Sequence, residues 1–213
     1  MRNKTQMQKT ALKTKVKRML IAGGLTALVA VPLLSGNAGM RKVDAAQGDV
    51  KINSTNFPDE EFRKYISKNI DRNKDGVLSK AEIKKVTEIK LEHYDEAGNK
   101  YVYNDLTGIG VFTELQTLEC VDNELTKLDV SKNTKLVELD CGFNELTKLD
   151  VSKNTKLVKL DCDVNKLTKL DVSKNSKLEY LSCRNNKLTK LDVSRSSKLK
   201  YLDCYDNKLT DLN

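Results

Sequence analysis

One histidine, His93, is all that a chain of 213 residues carries. That scarcity removes histidine-activated nucleophiles and histidine-built metal centres from the candidate chemistries. Gly-x-Ser-x-Gly, His-Glu-x-x-His and phosphate-loop patterns are missing as well, and no paired carboxylates stand outside a repetitive setting, so the chain reads as a non-enzyme. His93 itself is expected on the surface. Cysteines number five, an odd count without a Cys-x-x-Cys pair, which fits neither a complete disulfide framework nor a thiolate zinc site. The apolar run Met19 to Leu34 has 16 residues, short of the roughly 20 that a spanning helix needs. Seven basic residues precede it and small residues follow, so residues 1–46 read as an export signal. Cleavage is expected after Ala45 or Ala46, with Ala38 the other option. The formal charge of +8 is lodged in that leader: beyond it stand 29 basic and 29 acidic residues. A neutral mature chain offers no field for nucleic acid, and none of it is expected to stay inserted in a membrane.

What is present is a period. Cys120, Cys141, Cys162, Cys183 and Cys204 each follow the last by 21 residues, inside the phrase Leu-x-x-Leu-x-Cys-x-x-Asn-x-Leu-Thr-x-Leu-Asp-Val-Ser. A fixed step of this length is the mark of a solenoid. In Leu136 to Cys141, Leu139 and Cys141 have the period of two of a strand and face inward, with Asp140 outward. Asn144 and its copies Asn123, Asn165, Asn186 and Asn207 stand where a stacked amide can bond the backbone as the chain leaves the strand. Leu146 and Leu149 turn inward from the return segment. One repeat cannot bury these leucines alone, so the repeats stack and their strands form a parallel sheet about 4.8 Å apart. The expected fold is an α/β solenoid of leucine-rich repeats, its parallel sheet on the concave face. Each cysteine takes an inward leucine position, which predicts a buried ladder of reduced thiols. The rungs are spaced slightly beyond the usual disulfide geometry.

A helical unit, residues 47–88, precedes the repeats. Asn56 to Glu61 is expected to open a helix with Pro58 in its first turn and acids at its positive end. Phe62, Ile66 and Ile70, with Tyr65, make its apolar stripe. It runs into Asp71-Arg72-Asn73-Lys74-Asp75-Gly76-Val77-Leu78-Ser79-Lys80-Ala81-Glu82. Set on the EF-hand loop, Asp71, Asn73, Asp75, Ser79 and Glu82 take the side-chain ligand positions, Gly76 the tight turn, and Val77 the backbone-carbonyl position. That set of hard oxygen donors predicts one Ca²⁺ site. Ser79 to Glu82 also reads as a capping box for a helix carrying Ile83 and Val86, but a cap alone leaves the Asp/Asn/Asp/Gly spacing unexplained. EF-hands pair, and this loop has no second copy, so it is expected to lean on the first solenoid strand. Residues 89–213 are the repeats: an irregular one over 89–114 with a hairpin insert around Gly98 and Asn99, then 21-residue repeats from 115. The last is truncated, so end-to-end self-association or a frayed final repeat is expected there.

The EF-hand-like cap joined to cysteine-ladder repeats resembles the bacterial surface leucine-rich repeat proteins, the internalin group above all. The resemblance covers Val50 to Asn213 and implies an exported binding protein of a Gram-positive bacterium. It departs from the group in having no immunoglobulin-like module and no Leu-Pro-x-Thr-Gly signal, and in having a complete loop. Recognition of a protein or glycan is expected on the outward strand positions Glu119, Asp140, Asp161 and Asp203, with Tyr180, Arg184, Tyr201 and Tyr205 gathered at one end. Five strands give a face of roughly 400 Å², against about 800 Å² per partner for a standard interface, which predicts weak binding unless Tyr101 and Tyr103 add area. The competing expectation is a scaffold that presents something else and has no ligand of its own.

Overall fold

The computed structural model describes residues 48–91 and 101–212, all within the unit Val43–Asn213. The export signal with its cleavage sites, His93 and the insert around Gly98 and Asn99 lie outside the described residues. Among those described, no helix is long and apolar enough to cross a membrane.

The helix α1, Glu60–Asn69, starts one residue later than the proline signal suggests. Pro58 lies before the cap rather than in the first turn; Asp59 is the N-cap, and its Oδ1 accepts the Phe62 N–H at 2.8 Å. The apolar stripe is as expected, with Phe62, Ile66 and Ile70 buried. The ring of Phe57 meets Phe62 edge-on at 6.0 Å. The second helix, α2, is a single turn over Lys80–Ile83 with both hydrogen bonds of a capping box between Ser79 and Glu82. It stops before Val86, which sits half-buried beyond it.

The loop between the helices does not lean on the solenoid. Its strand β2, Val77–Leu78, pairs antiparallel with β1, Val50–Lys51, a strap at the start of the described chain. The first solenoid strand, β3 (Glu88–Lys90), pairs instead with β4 (Thr117–Glu119). The parallel order continues through β5 (Glu138–Asp140), β6 (Lys159–Asp161) and β7 (Tyr180–Ser182) to β9 (Tyr201–Asp203). Six strands therefore build the sheet rather than the five that the cysteine period marks, because Glu88–Lys90 belongs to a repeat with no cysteine. On the return side, β8 (Lys190–Leu191) and β10 (Asp211–Leu212) form a second, two-stranded parallel sheet.

Register follows the repeat phrase. Leu118, Leu139, Leu160, Leu181 and Leu202 are stacked partners, and one apolar cluster runs unbroken from Phe57 of the cap to Leu191. The cap thus closes the first end of the solenoid core, as terminal units of stacked arrays must. Cys120, Cys141, Cys162 and Cys183 are fully buried free thiols, whereas Cys204 is only half-buried. Burial pushes the four inner thiols well above the usual range. In the final repeat Leu199, Leu202 and Leu209 are half-buried where their upstream counterparts are sealed.

Two asparagine columns tie the stack together. Asn165 donates through Nδ2 to the carbonyls of Cys141, Cys162 and Asp163 at 3.0–3.2 Å and accepts the Leu146 N–H at 2.9 Å. Asn144 and Asn186 do the same one repeat away. A second column, Asn133, Asn154 and Asn175, went unread in the sequence; each is fully buried and bridges two carbonyls of the preceding repeat. Its signal was Val-Ser-Lys-Asn, which follows Leu-Asp at Asp129, Asp150 and Asp171.

Candidate functional site

The EF-hand-like loop has one feature that its own hydrogen bonds leave open. Asp71 is buried, 3% exposed. Its Oδ2 accepts the Gly76 N–H across the loop at 3.0 Å, while Oδ1 is sealed from solvent with no hydrogen-bond partner. A buried, unpartnered carboxylate oxygen is costly. Gly76 has φ +78°, the left-handed region that lets the chain fold back over Asp71. Asn73 Oδ1 accepts the Asp75 N–H, and Asp75 Oδ1 the Val77 N–H at 2.8 Å. Glu82 is turned to the backbone: Oε1 takes the Arg72 N–H, and Oε2 takes both the N–H and the hydroxyl of Ser79. Burial would raise its pKa, but these hydrogen bonds outweigh it and hold the carboxyl below the usual range. In this arrangement no three Asp, Glu, His or Cys side chains converge on one point among the described residues. The six predicted residues nonetheless share one loop, supply only oxygen, and leave one donor unsatisfied, so they fit a hard divalent cation.

The open face of the sheet carries three columns. Glu88, Thr117, Glu138, Lys159, Tyr180 and Tyr201 form the first; Lys90, Glu119, Asp140, Asp161, Ser182 and Asp203 form the second. The third, one step past the strands, is Val121, Gly142, Asp163, Arg184 and Tyr205. All eight residues predicted for recognition fall on this face. Tyr180 and Tyr201 stack at 4.5 Å with ring planes 5° apart, and Lys159 Nζ lies 5.8 Å from the Tyr180 centroid. Tyr201 and Tyr205, at 45% and 75% exposed, are the exposed large hydrophobics of the described chain. Tyr103 is 3% exposed, so its side chain offers no contact area to the face. The sixth strand extends the area to roughly 480 Å², still below a standard partner's share.

Asp163 is the member that sequence reasoning missed. Its Oδ1 accepts the Ser182 hydroxyl at 2.6 Å and the Arg184 N–H at 2.7 Å, and its Oδ2 lies 3.5 Å from Arg184 Nε. Arg184 also reaches Asp203 at 4.0 Å. A signal existed: the position after each cysteine changes in every repeat, Val, Gly, Asp, Arg and Tyr in turn, while the cysteine and the asparagine three residues past it recur.

Two acids of the middle column, Asp140 and Asp161, are pushed above the usual carboxylate range. Burial raises Asp140 to about 6 against the pull of the Gly142 N–H and Lys159. Burial, with the charges of Asp140 and Asp163, raises Asp161 to about 7. Folded carboxyls that hold protons more tightly than unfolded ones add stability below the unfolded pKa, and lose it as pH climbs through the folded value. Stability should therefore fall between about pH 4 and pH 7 as pH rises. Asp129, Asp150, Asp171 and Asp192, lowered by hydrogen bonds from the serine two residues on, act only below that window. A thermal melt is expected to be on the order of 5 °C higher at pH 5 than at pH 8, and Asp161→Asn should flatten that slope.

A family profile for leucine-rich repeats, two copies, matches residues 176–213. No curated protein matches the chain in sequence. Among solved structures, the functional domain of InlJ from Listeria monocytogenes, which includes a cysteine ladder, is 38% identical with a TM-score of 0.69 over 80% of this chain and 36% of that one. Two internalins of Listeria monocytogenes strain 4b F2365 share the fold: InlF at 19% identity, TM-score 0.52, over 76% of this chain and 60% of its own, and InlC2 at 20%, TM-score 0.55, over 79% and 83%. The chain thus spans about a third of the InlJ structure's length. Its parallel strands and 21-residue period are those of a leucine-rich repeat solenoid, and its structural neighbours include internalins.

Proposed function

We propose that the chain is an exported binding module that recognises a protein or glycan on the open face of its sheet and holds one structural Ca²⁺ in the loop 71–82. The observation that carries the recognition reading is the pre-stacked pair of half-buried Tyr180 and exposed Tyr201, beside Arg184 and exposed Tyr205. Stacking fixes the rings before any partner arrives, which reduces the ordering cost of binding. Core positions recur in each repeat while these face positions do not, as expected where the core sets the fold and the face sets the partner. Export rests on the leader, residues 1–46.

A partner recovered from surface or host proteins, or from a glycan array, should lose at least about 100-fold in affinity for the triple variant Tyr180→Ala, Tyr201→Ala, Tyr205→Ala. Undiminished binding by that variant, with loss on Lys148→Ala and Lys169→Ala, would move recognition off the sheet face.

For the cation, Asp71, Asn73, Asp75, the Val77 carbonyl, Ser79 and Glu82 would be the holding groups. Bound there, Ca²⁺ would neutralise three carboxylates and cross-link the loop. Calcium at ten times its Kd should stabilise by about 1.4 kcal/mol, or about 3 °C of melting temperature, and Asp71→Ala should abolish the rise. Equal melting in calcium and in chelator would remove the site.

A further inference from the structure

The strap β1 does more than cover apolar surface. Its backbone is fastened to the loop 71–82 and the turn that follows. Val50 and Lys51 oppose Leu78 and Val77, the Ile52 N–H donates to the Gly76 carbonyl at 2.9 Å, and Asp49 Oδ1 accepts the Lys80 N–H at 3.2 Å. Register gives this pairing a consequence. In an antiparallel pair, hydrogen-bonded positions alternate with positions whose N–H and C=O point away from the partner. Ile52 opposite Gly76 is a hydrogen-bonded position, so Val77, one step on, turns both its backbone groups away from the strap. Its N–H is found on that side, on Asp75 Oδ1 at 2.8 Å. The Val77 carbonyl is therefore directed away from the strap as well. A slip of one residue would reverse it.

We infer that the strap substitutes for the partner that an EF-hand loop ordinarily pairs with, and that strap docking and divalent-cation binding are coupled. The inference rests on the calcium reading above. Coupling is reciprocal: a cation that needs the docked register strengthens docking, and undocking weakens the cation by the same factor. Asp71, whose Oδ2 holds the Gly76 N–H, is the shared element, since the carbonyl of the same glycine holds the strap.

The test titrates CaCl₂ into the full chain by calorimetry and follows amide exchange at Ile52 with and without calcium. Ile52→Pro removes the N–H that Gly76 accepts, and Ile52→Ala keeps it while removing the side chain. Calcium should slow Ile52 exchange at least tenfold, and Ile52→Pro should weaken calcium at least tenfold while Ile52→Ala changes it less than threefold. Heat in the parent with no change in Ile52 exchange, or equal affinity in Ile52→Pro, would overturn the coupling and leave the calcium site standing. No heat in the parent would remove both. Should Ile52→Pro fail to fold, the exchange measurement on the parent decides alone.

Discussion

Gly108→Ala should destabilise the chain by about 3–6 kcal/mol, adding the cost of a strained backbone to that of overpacking. Gly108 sits at φ +102° before the 3₁₀ turn Ile109–Val111. A Cβ there would lie 2.2 Å from Phe57 Cδ1 and 2.4 Å from the Asn56 carbonyl oxygen. Neither neighbour can retreat: Phe57 is fully buried against Phe62, and the carbonyl is backbone. Gly76→Ala is the internal comparison, because its φ is also positive but nothing lies within 4 Å of the new atom; about 1–2 kcal/mol is expected from backbone strain alone. Urea unfolding followed by circular dichroism measures both. A loss below about 1 kcal/mol for Gly108→Ala would mean that Phe57 is not seated over the first repeat.

Asn165→Ala should cost about 3–5 kcal/mol, since it strands several buried backbone groups at about 1–3 kcal/mol each. Leu146, whose N–H the Oδ1 receives, is fully buried, and three carbonyls lose the Nδ2. The two columns should differ. Asn154 donates to Val130 and Asn133, but its Oδ1 has no partner, so Asn154→Ala is expected to cost about 2 kcal/mol. Asn207 is half-exposed in the final repeat, so water can replace it and the loss should be about 1 kcal/mol. Chemical denaturation of the three variants tests the order Asn165, Asn154, Asn207. An Asn165→Ala variant within about 1 kcal/mol of the parent would show that the ladder is not what holds adjacent repeats in register.

The loop residues Asp71 to Glu82 were legible as a set because the motif is local, twelve consecutive residues whose order encodes the fold-back. Which element would brace that loop was not legible. Val50–Lys51 is a strand of two residues, too short to show alternation, and it meets Val77–Leu78 across more than 20 residues of intervening chain. Pro58 and Val86 were misplaced, two residues before one helix and three past the other, because caps, not periodicity, fix helix ends.

On the sheet face, the outward positions followed from alternation, but their chemistry did not. Ser182, Asp163 and Arg184 meet only because consecutive repeats stack in register. The same stacking withdraws Asp140 and Asp161 from water and raises their pKa values.

By itself the sequence determined the solenoid, its 21-residue step, the inward leucines and cysteines and the place of one asparagine column, because a stacked array must present the same core to each neighbour and so writes its contacts as a period. The tertiary structure alone decided the conformation and contacts of the residues that vary from repeat to repeat. Val164 shows the division: it adopts φ +51°, like Asp122, Phe143, Asn185 and Asp206 at the same step, although a β-branched side chain disfavours that region. Its N–H bonds the Arg184 carbonyl of the next repeat at 2.8 Å, and the neighbouring Asn165 is anchored to Cys141 of the previous one. Hydrogen bonds to both neighbours, not the propensity of the residue, set that conformation.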